Sequence, residues 1–127
     1  MQVIRSTESP SKRGPAEWFS GEVWMQTILG ADSSPSQRSV IVYFAAGARN
    51  AWHTHPRGQL LYIISGICLA QTEGGEVQRF SPGDSIWFAP DEKHWHGAAP
   101  NHPMVHLAVQ EADEHGEVVV WLEHFDK

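Results

Sequence analysis

The chain has 127 residues, of which 41% are hydrophobic, and it contains 11 glycines and 8 prolines. This length allows one domain with a hydrophobic core, and the composition is typical of a turn-rich globular domain. The formal net charge is −6, and the 9 lysines and arginines are scattered along the chain. No basic stripe is therefore available to neutralise phosphates, and nucleic acid is not expected as a partner.

The cysteine count and the polar N-terminus indicate the compartment. Cys68 is the only cysteine, which excludes an intrachain disulfide and is consistent with a reducing environment. Residues 1–14 are polar and lack the apolar stretch of a secretory signal. No apolar run approaches the ~18 residues that cross a bilayer. The sequence therefore predicts a cytoplasmic protein with no membrane partner.

The order of elements predicts an arm followed by one domain. Residues 1–17 contain Ser, Pro, Lys and Gly without periodicity and are predicted to form an N-terminal arm. Residues 18–127 are predicted to form a single all-β domain, since no long window has a helical period. Short strands bounded by turn residues indicate a sandwich or barrel. The predicted strands are Val23–Leu29, Ser39–Phe44, Trp52–His55, Gln59–Ser65, Ile67–Thr72, Val77–Phe80, Ile86–Phe88, His94–His96, Met104–Gln110 and Val118–Leu122.

Side chains suited to metal binding occur at strand spacing in the middle of the chain. His53 and His55 are separated by one residue, so a strand directs both to the same face. The turn-forming segment Pro56-Arg57-Gly58 follows, and Gln59 then begins the next strand. A second segment starts at Pro82-Gly83-Asp84 and leads to another histidine, His94.

These four side chains are predicted to converge on one divalent transition metal. Imidazole nitrogens suit Mn, Fe, Ni, Cu or Zn. Burying several unpaired imidazoles is costly, which favours a bound cation over a barrel that has lost its metal. The predicted ligands are His53, His55, Gln59 and His94.

Gln59 would change the charge of such a site. Its amide oxygen is neutral, so a dication keeps its full charge and becomes a stronger Lewis acid. This favours polarisation of a bound substrate over one-electron oxidation of the metal. An alternative is that Gln59 does not bind and that water completes a site of three histidines.

Two further histidines and a glutamine are predicted near the metal. His96 has the same parity as His94, so a regular strand directs it into the interior. His106 and Gln110 share a face of the strand that follows. The two histidines either support the ligands through hydrogen bonds or transfer protons. Gln110 is predicted to orient a polar group of the substrate or product.

Apolar side chains are predicted to form the substrate pocket. Leu61 continues the parity of Gln59, and Ala108 continues that of His106. The inward face of Ser39–Phe44 cannot be decided from an apolar run, and the even-numbered face is taken as inward. No arginine is available there for a carboxylate or phosphate, so a small aromatic or aliphatic substrate is expected. The predicted pocket residues are Val40, Val42, Phe44, Leu61 and Ala108.

Two tryptophans flanked by histidines leave a question about the outer surface. Alternation places Trp52 and Trp95 on the face opposite the histidines. Their indoles either pack against other parts of the chain or form an interface with a second copy, where exposed aromatic residues are enriched.

The first of these segments resembles a motif of the cupins, G-x5-H-x-H-x3-E-x6-G. Gly47, His53, His55 and Gly66 match this pattern, and Gln59 replaces the usual glutamate. The resemblance extends through the strand pattern over nearly the whole chain. It implies a single cupin barrel, a jelly-roll-like double-stranded β-helix, of the kind that commonly forms homodimers or larger homo-oligomers.

The second cupin motif is matched in part. Ala89 and Asp91 stand where the family has Pro and Gly, and Pro90 is displaced by one position. Ala98 replaces the usual Asn. His94 nevertheless falls at the position of a metal ligand in the family.

Within the cupins, Trp52-His53-Thr54-His55-Pro56, Gln59 and His94-Trp95-His96 resemble a small bacterial group that includes manganese-dependent hydroxynitrile lyases. The resemblance implies a lyase that cleaves cyanohydrins reversibly to aldehyde and cyanide. It implies Mn as the metal, with Fe, Ni or Zn as alternatives, and His96 and His106 as proton carriers. The alternatives are a metal-dependent cupin dioxygenase acting on a small aromatic or apolar substrate, and a non-enzymatic cupin that binds a small ligand.

Overall fold

The computed structural model describes residues 1–124, so residues 125–127 of the predicted domain lie outside the described part of the chain. The described residues form two antiparallel sheets and one short 3-10 helix, Ser6–Glu8, which confirms the all-β prediction. None of the helical structure in residues 1–124 has the length and apolar character needed to span a membrane. The strands are β1 Lys12–Arg13, β2 Phe19–Ser20, β3 Val23–Leu29, β4 Gln37–Phe44, β5 Arg49–Asn50, β6 His53–Thr54, β7 Gln59–Gly66, β8 Cys68–Thr72, β9 Gln78–Phe80, β10 Ser85–Phe88, β11 His94–Ala98, β12 Met104–Glu111 and β13 Val120–Trp121.

The first sheet has the strand order β1-β3-β4-β12-β7-β10. Its central strand β12 pairs with β4 on one side and with β7 on the other, which sets His106 beside Val42 and Gln110 opposite Gln59. Along β7 the residues from Gln59 to Ile64 alternate between buried and exposed. This alternation is expected where only one face of a sheet is covered by the rest of the chain.

The second sheet is organised around β11, whose five residues are all buried. β8 pairs with the full length of β11, and β5 and β6 also pair with it. The pairing with β6 places His94 directly opposite His53. Strands from two distant parts of the sequence therefore bring two of the predicted ligands together.

The predicted strand Trp52–His55 is shorter in the structure because the chain leaves the sheet between β5 and β6. The Ala51 amide donates to the Trp18 carbonyl at 2.7 Å, and the Trp52 amide donates to the Glu123 carbonyl at 2.9 Å. This break interrupts the alternation of side chains. Asn50 and His53 are consequently both buried, although a regular strand would place them on opposite faces.

An apolar core joins the two sheets. It includes Phe19, Val42, Ile63 and Cys68, which come from both sheets and are each at most 5% exposed. Burying an aliphatic or aromatic side chain of this size contributes about 1.5–3 kcal/mol. Gly66 ends β7 at a positive φ of 79°, and a Cβ at this position would collide with the carbonyl of Pro103. Only glycine fits this turn.

The predicted N-terminal arm is held against the edge of the first sheet. Lys12 and Arg13 form β1 and pair with β3. The Ser9 hydroxyl donates to the carbonyl of Thr27 at 2.6 Å. These contacts place the end of the arm, and Trp18 after it, beside the barrel.

Trp95 packs inside the chain. Its side chain is 0% exposed, its indole N–H donates to Gln71 Oε1 at 2.8 Å, and the guanidinium of Arg49 lies 4.3 Å from the ring centroid. Of the two interpretations of this tryptophan, the structure therefore shows packing within the chain.

Candidate metal centre

Five buried histidines form one cluster between the two sheets. Their ring centroids are separated by 4.3 Å for His53 and His94, by 5.0 Å for His53 and His55, and by 4.8 Å for His96 and His106. Each side chain is at most 3% exposed. The cluster contains His53, His55, His94, His96 and His106.

The turn predicted after His55 positions the first three ligand candidates. The Gly58 amide donates to the His55 carbonyl at 3.1 Å, and Gly58 has a positive φ of 83°. The tight turn returns the chain, so that Gln59 enters β7 beside the histidines. The amide of Asp91 also donates to the His55 carbonyl, at 2.9 Å. This bond ties the loop that precedes His94 to the same point.

Three imidazoles are oriented by backbone carbonyls. Nδ1 of His53 lies 2.8 Å from the Ala51 oxygen, Nδ1 of His55 lies 2.8 Å from the Val118 oxygen, and Nδ1 of His94 lies 2.7 Å from the Glu92 oxygen. A neutral imidazole that donates from Nδ1 presents a lone pair at Nε2. Metal-binding histidines are held in this way by hydrogen bonds from the nitrogen that does not bind the metal.

Burial keeps these rings neutral. Removal from water lowers the pKa of His55 to about 4 and that of His94 to about 3, and it lowers the pKa of His53 well below its ordinary value. The neighbouring rings lower the pKa of His53 further. Neutral rings are the form that binds a metal.

Gln59 and His94 meet through two acceptors. Gln59 Oε1 lies 3.1 Å from His94 Nε2. The single proton of the neutral His94 ring is already used at Nδ1, in the shorter bond to Glu92. A carbonyl oxygen and a nitrogen lone pair therefore face each other without a proton between them, which is unfavourable unless a cation binds both.

His55 gives a second indication that a cation binds at this site. Its Nε2 is buried and makes no hydrogen bond within the described residues. A buried acceptor without a partner costs about 1–3 kcal/mol. A divalent cation near His53, His55, Gln59 and His94 would satisfy all of these lone pairs. The residues therefore fit a metal that binds imidazole nitrogens and amide oxygens.

The structure also brings His96 into the group. One nitrogen from each of His53, His94 and His96 lies within 4.8 Å of the others, so three histidines are positioned to hold a metal ion. This set contains His96 in place of the predicted ligand His55. The other contacts of the two rings distinguish them. Among residues 1–124, His55 Nε2 has no hydrogen-bond partner, whereas both nitrogens of His96 lie within 3.3 Å of polar side-chain nitrogens.

His96 and His106 are hydrogen-bonded to each other. His106 Nε2 lies 3.1 Å from His96 Nδ1, and the other nitrogen of His106 is buried without a partner in the part of the chain that the structure describes. Burial lowers the pKa of His106 to about 4 and holds the pKa of His96 well below its ordinary value. Both histidines lie next to the predicted ligands, and both line the adjacent cavity.

Asn50 is a site residue that the sequence analysis did not find. Its Oδ1 accepts the backbone N–H of His96 at 2.8 Å, and its Nδ2 lies 3.2 Å from His96 Nε2. The side chain is only 3% exposed. Asn50 precedes the predicted strand Trp52–His55, and the break between β5 and β6 allows both Asn50 and His53 to be buried. A buried asparagine needs such partners.

A cavity of about 100 Å³ opens beside the histidines. Four of the five predicted pocket residues line it, namely Val40, Val42, Phe44 and Ala108. Leu61 instead packs in the core with Ala70 and Phe88 and is not among the lining residues. Side chains of β7 nearer the middle of the sheet are covered by the second sheet, so the parity shared with Gln59 did not suffice to place Leu61 in the cavity.

The outer wall of this cavity is aromatic, and of its members only Phe44 was predicted. Trp18 and Trp121 stack with their ring centroids 5.2 Å apart, and Trp121 lies 4.7 Å from the ring of His53. Phe19 and Phe44 meet edge to face beside them. The sequence offered no signal for Trp18, Phe19 and Trp121, because they come from opposite ends of the described chain.

Gln110 lines the cavity and contacts a ligand candidate. Its Oε1 accepts a hydrogen bond from Gln59 Nε2 at 2.9 Å. The two glutamines are direct neighbours across β12 and β7. Gln110 is thus close to the cluster, as predicted from its parity, and its observed partner is Gln59.

In a comparison with protein-family models, residues 40–110 match a cupin domain. This segment contains all four predicted ligands and more than half of the chain. The chain belongs to the cupin family.

Curated and solved proteins agree with this assignment. An (R)-mandelonitrile lyase from Granulicella tundricola is 47% identical over 124 residues, which cover 98% of this cupin and 94% of the relative. A cupin-like protein from Thermotoga maritima has a structure with a TM-score of 0.84 and 30% identity, covering 91% of this chain and 86% of that one. The dimethylsulfoniopropionate lyase DddQ from Ruegeria pomeroyi has a TM-score of 0.69 and 20% identity, covering 98% of this chain and 62% of that one.

The resemblance identified from the two motifs is therefore confirmed for the cupin family and for the lyase group within it. The contacts of Gln59 show how an amide is accommodated where the cupin motif has glutamate. The amide occupies the place of a carboxylate while its nitrogen is bound to Gln110 and its oxygen faces His94.

Proposed function

We propose that this cupin is a hydroxynitrile lyase that cleaves an aromatic cyanohydrin into an aldehyde and cyanide, and that joins them in the reverse direction. The observation that carries the proposal is the 47% identity with an (R)-mandelonitrile lyase along 98% of the chain. A small cavity with an aromatic wall next to a histidine cluster supports it. A substrate of this class has an apolar ring attached to a carbon that bears a hydroxyl and a nitrile group.

The residues His53, His55, Gln59 and His94 would hold one divalent metal ion, with Mn as the expected metal and Fe, Ni or Zn as alternatives. Their anchored Nδ1 atoms support this set over one that contains His96, as does the buried His55 Nε2, which has no hydrogen-bond partner among residues 1–124. When bound, the metal supplies Lewis acidity that polarises an oxygen of the substrate. Because Gln59 is neutral, none of these four residues lowers the positive charge at the site.

Proton transfer is assigned to the His96–His106 pair. Cleavage removes the hydroxyl proton, breaks the carbon–carbon bond with its electron pair leaving on cyanide, and converts the C–O bond to a carbonyl. The same proton then balances the charge of cyanide, so the products are an aldehyde and hydrogen cyanide. The 3.1 Å hydrogen bond between the two rings lets one ring take a proton while the other gives one up.

The apolar wall holds the substrate and excludes water. Val40, Val42 and Ala108 line the floor of the cavity, and the stacked Trp18 and Trp121 form its outer side. An aryl ring placed against these indoles is stabilised by area burial and by aromatic contact. Gln110 would orient a polar group of the substrate on the side near Gln59.

The experiment that tests the lyase proposal is anaerobic release of cyanide from mandelonitrile by protein purified without a chelating tag. Release should require a stoichiometric divalent metal and should stop on treatment with a chelator. Oxygen uptake with bound Fe or Ni, without cyanide release, would instead establish a dioxygenase. Tight binding of the cyanohydrin with no turnover would establish a binding protein.

We also propose that two copies of the chain associate through the outer face of the first sheet. Large apolar side chains are exposed there on four strands that are adjacent or linked by β12, namely Trp24, Tyr43, Leu60, Tyr62, Ile64 and Trp87. These six side chains are uncharged, so they add no electrostatic repulsion between two copies with a net charge of −6. Patches of this kind mark interfaces in soluble proteins. Native mass spectrometry should show an even-numbered oligomer, and a monomer at micromolar concentration would contradict the proposal.

Cytoplasmic localisation stays a prediction from the sequence.

A further inference from the structure

We propose that Gln110 is a positioning residue that determines which end of the Gln59 amide faces the metal. The proposal rests on the metal site described under the proposed function, and it does not depend on the lyase reaction. Its physical basis is that the two ends of a glutamine side chain have nearly the same shape, whereas only the oxygen can bind a cation.

The contacts around Gln59 select one of its two orientations. Gln59 is 4% exposed, so water cannot freely hydrate either end. Its Nε2 donates to Gln110 Oε1 at 2.9 Å, and its Oε1 is left on the side of His94 at 3.1 Å from Nε2. The two glutamines are paired in register on β7 and β12, so the backbone holds their side chains next to each other.

The opposite orientation would remove two ligands at once. A rotated Gln59 would place its NH2 group against His94 Nε2 and would occupy the lone pair that the metal needs. With Gln110 in its observed orientation, it would also set its oxygen against the oxygen of Gln110, acceptor facing acceptor, which is unfavourable for buried groups. The hydrogen bond to Gln110 therefore stabilises the form of the site that can bind metal.

The need for this anchor follows from the residue type at position 59. The two oxygens of a glutamate are equivalent, so a carboxylate presents a donor atom to the metal in either orientation. A glutamine does so in only one. The cupin motif has glutamate at this place, and the change to Gln59 in this chain is accompanied by an amide oxygen from Gln110 in hydrogen-bonding contact.

The test is the affinity of the metal-free full-length protein for Mn²⁺, measured by competition with a chelator of known affinity. Gln110→Leu removes the acceptor and should weaken Mn²⁺ binding about 10-fold or more, as expected for a residue that orients a ligand. Gln110→Glu keeps an acceptor at both oxygens and should bind at least as tightly as the natural chain. In this variant the two side chains cannot rotate together, because a carboxylate at position 110 has no N–H to donate to the oxygen of a rotated Gln59. Gln78→Leu, at an exposed glutamine on β9, is the matched control and should leave the affinity unchanged.

A double-mutant cycle separates orientation from general damage. In a Gln59→Glu background, Gln110→Leu should change Mn²⁺ affinity less than 3-fold, because the carboxylate needs no orienting partner. Equal losses in both backgrounds, or no loss in the natural background, would overturn the proposal. If the leucine variant does not fold, Gln110→Met carries the same expectation. Failure of cyanide release with an intact Gln59–Gln110 coupling would refute the lyase function alone.

Discussion

The two faces of the β7–β12 pair differ from those of an ordinary soluble sheet, because polar side chains lie among the apolar ones on the inner face and large apolar side chains are exposed on the outer face. The inner face carries Gln59, His106 and Gln110, whereas the outer face of β7 carries Leu60, Tyr62 and Ile64, which are 37–45% exposed. Buried polar groups and exposed apolar groups are both unfavourable in an isolated chain. The proposed metal and substrate would account for the inner face, and the proposed second copy would account for the outer face.

The largest effect should come from removing a ligand on the inner face. His53→Ala should lower metal occupancy to below a tenth of that of the natural protein and abolish turnover, because it deletes a neutral nitrogen with no replacement at the site. Elemental analysis of untagged protein measures occupancy, and cyanide release measures turnover. Full occupancy in the variant would show that His53 is not a ligand.

A smaller inner-face change should separate proton transfer from metal binding. His106→Ala should lower kcat about 100-fold or more while leaving the metal content unchanged, as expected for a group that transfers protons. The pairing with His96 at 3.1 Å is the structural reason. His102→Ala, at an exposed loop position, is the control. A parallel loss of metal would assign His106 to support of the ligands.

A charge introduced on the outer face should weaken self-association without changing metal binding on the inner face. Tyr62→Lys places a charge in the middle of the apolar surface and should weaken self-association about 100-fold. Metal occupancy should stay unchanged, since Tyr62 points away from the cluster. Size-exclusion chromatography with light scattering measures the association. Lys93→Gln, outside this surface, should leave it intact, and association that is unaffected by Tyr62→Lys would place the interface elsewhere.

The pH dependence of the free energy of unfolding should test whether the inner-face histidines are buried as neutral rings. The pKa values of His55, His94 and His106 are lowered to about 4, 3 and 4, respectively, by burial. Because the unfolded chain binds these protons near pH 6.5, stability is fully present above that pH and is lost as the pH falls toward 4. The slope is about 1.4 kcal/mol per pH unit for each histidine. Urea unfolding of metal-free protein at pH 7.5, 6 and 5 measures it, with the exposed His115→Gln variant as control. A flat profile would contradict the burial of neutral rings.

Much of the metal site could be predicted because its signals are local. The alternation of a strand joins His53 to His55, and a turn of fixed length delivers Gln59. The partner of Gln110 was less accessible, since it depends on β12 pairing with β7 in one register. The inward face of β4 was undecidable from its apolar run, and the pairing of Val42 with His106 decides it. Asn50 was missed because the strand breaks after it.

The sequence by itself determined the all-β class, the cupin motifs and the set of ligand candidates, since periodicity and turn chemistry act over a few residues. Only the tertiary structure decided which lone pairs lack partners, which amide oxygen faces the histidines and which aromatic rings close the cavity. Trp18 and Trp121, for example, stack although more than one hundred residues separate them. Such contacts depend on how distant strands pair, and no local pattern encodes that pairing.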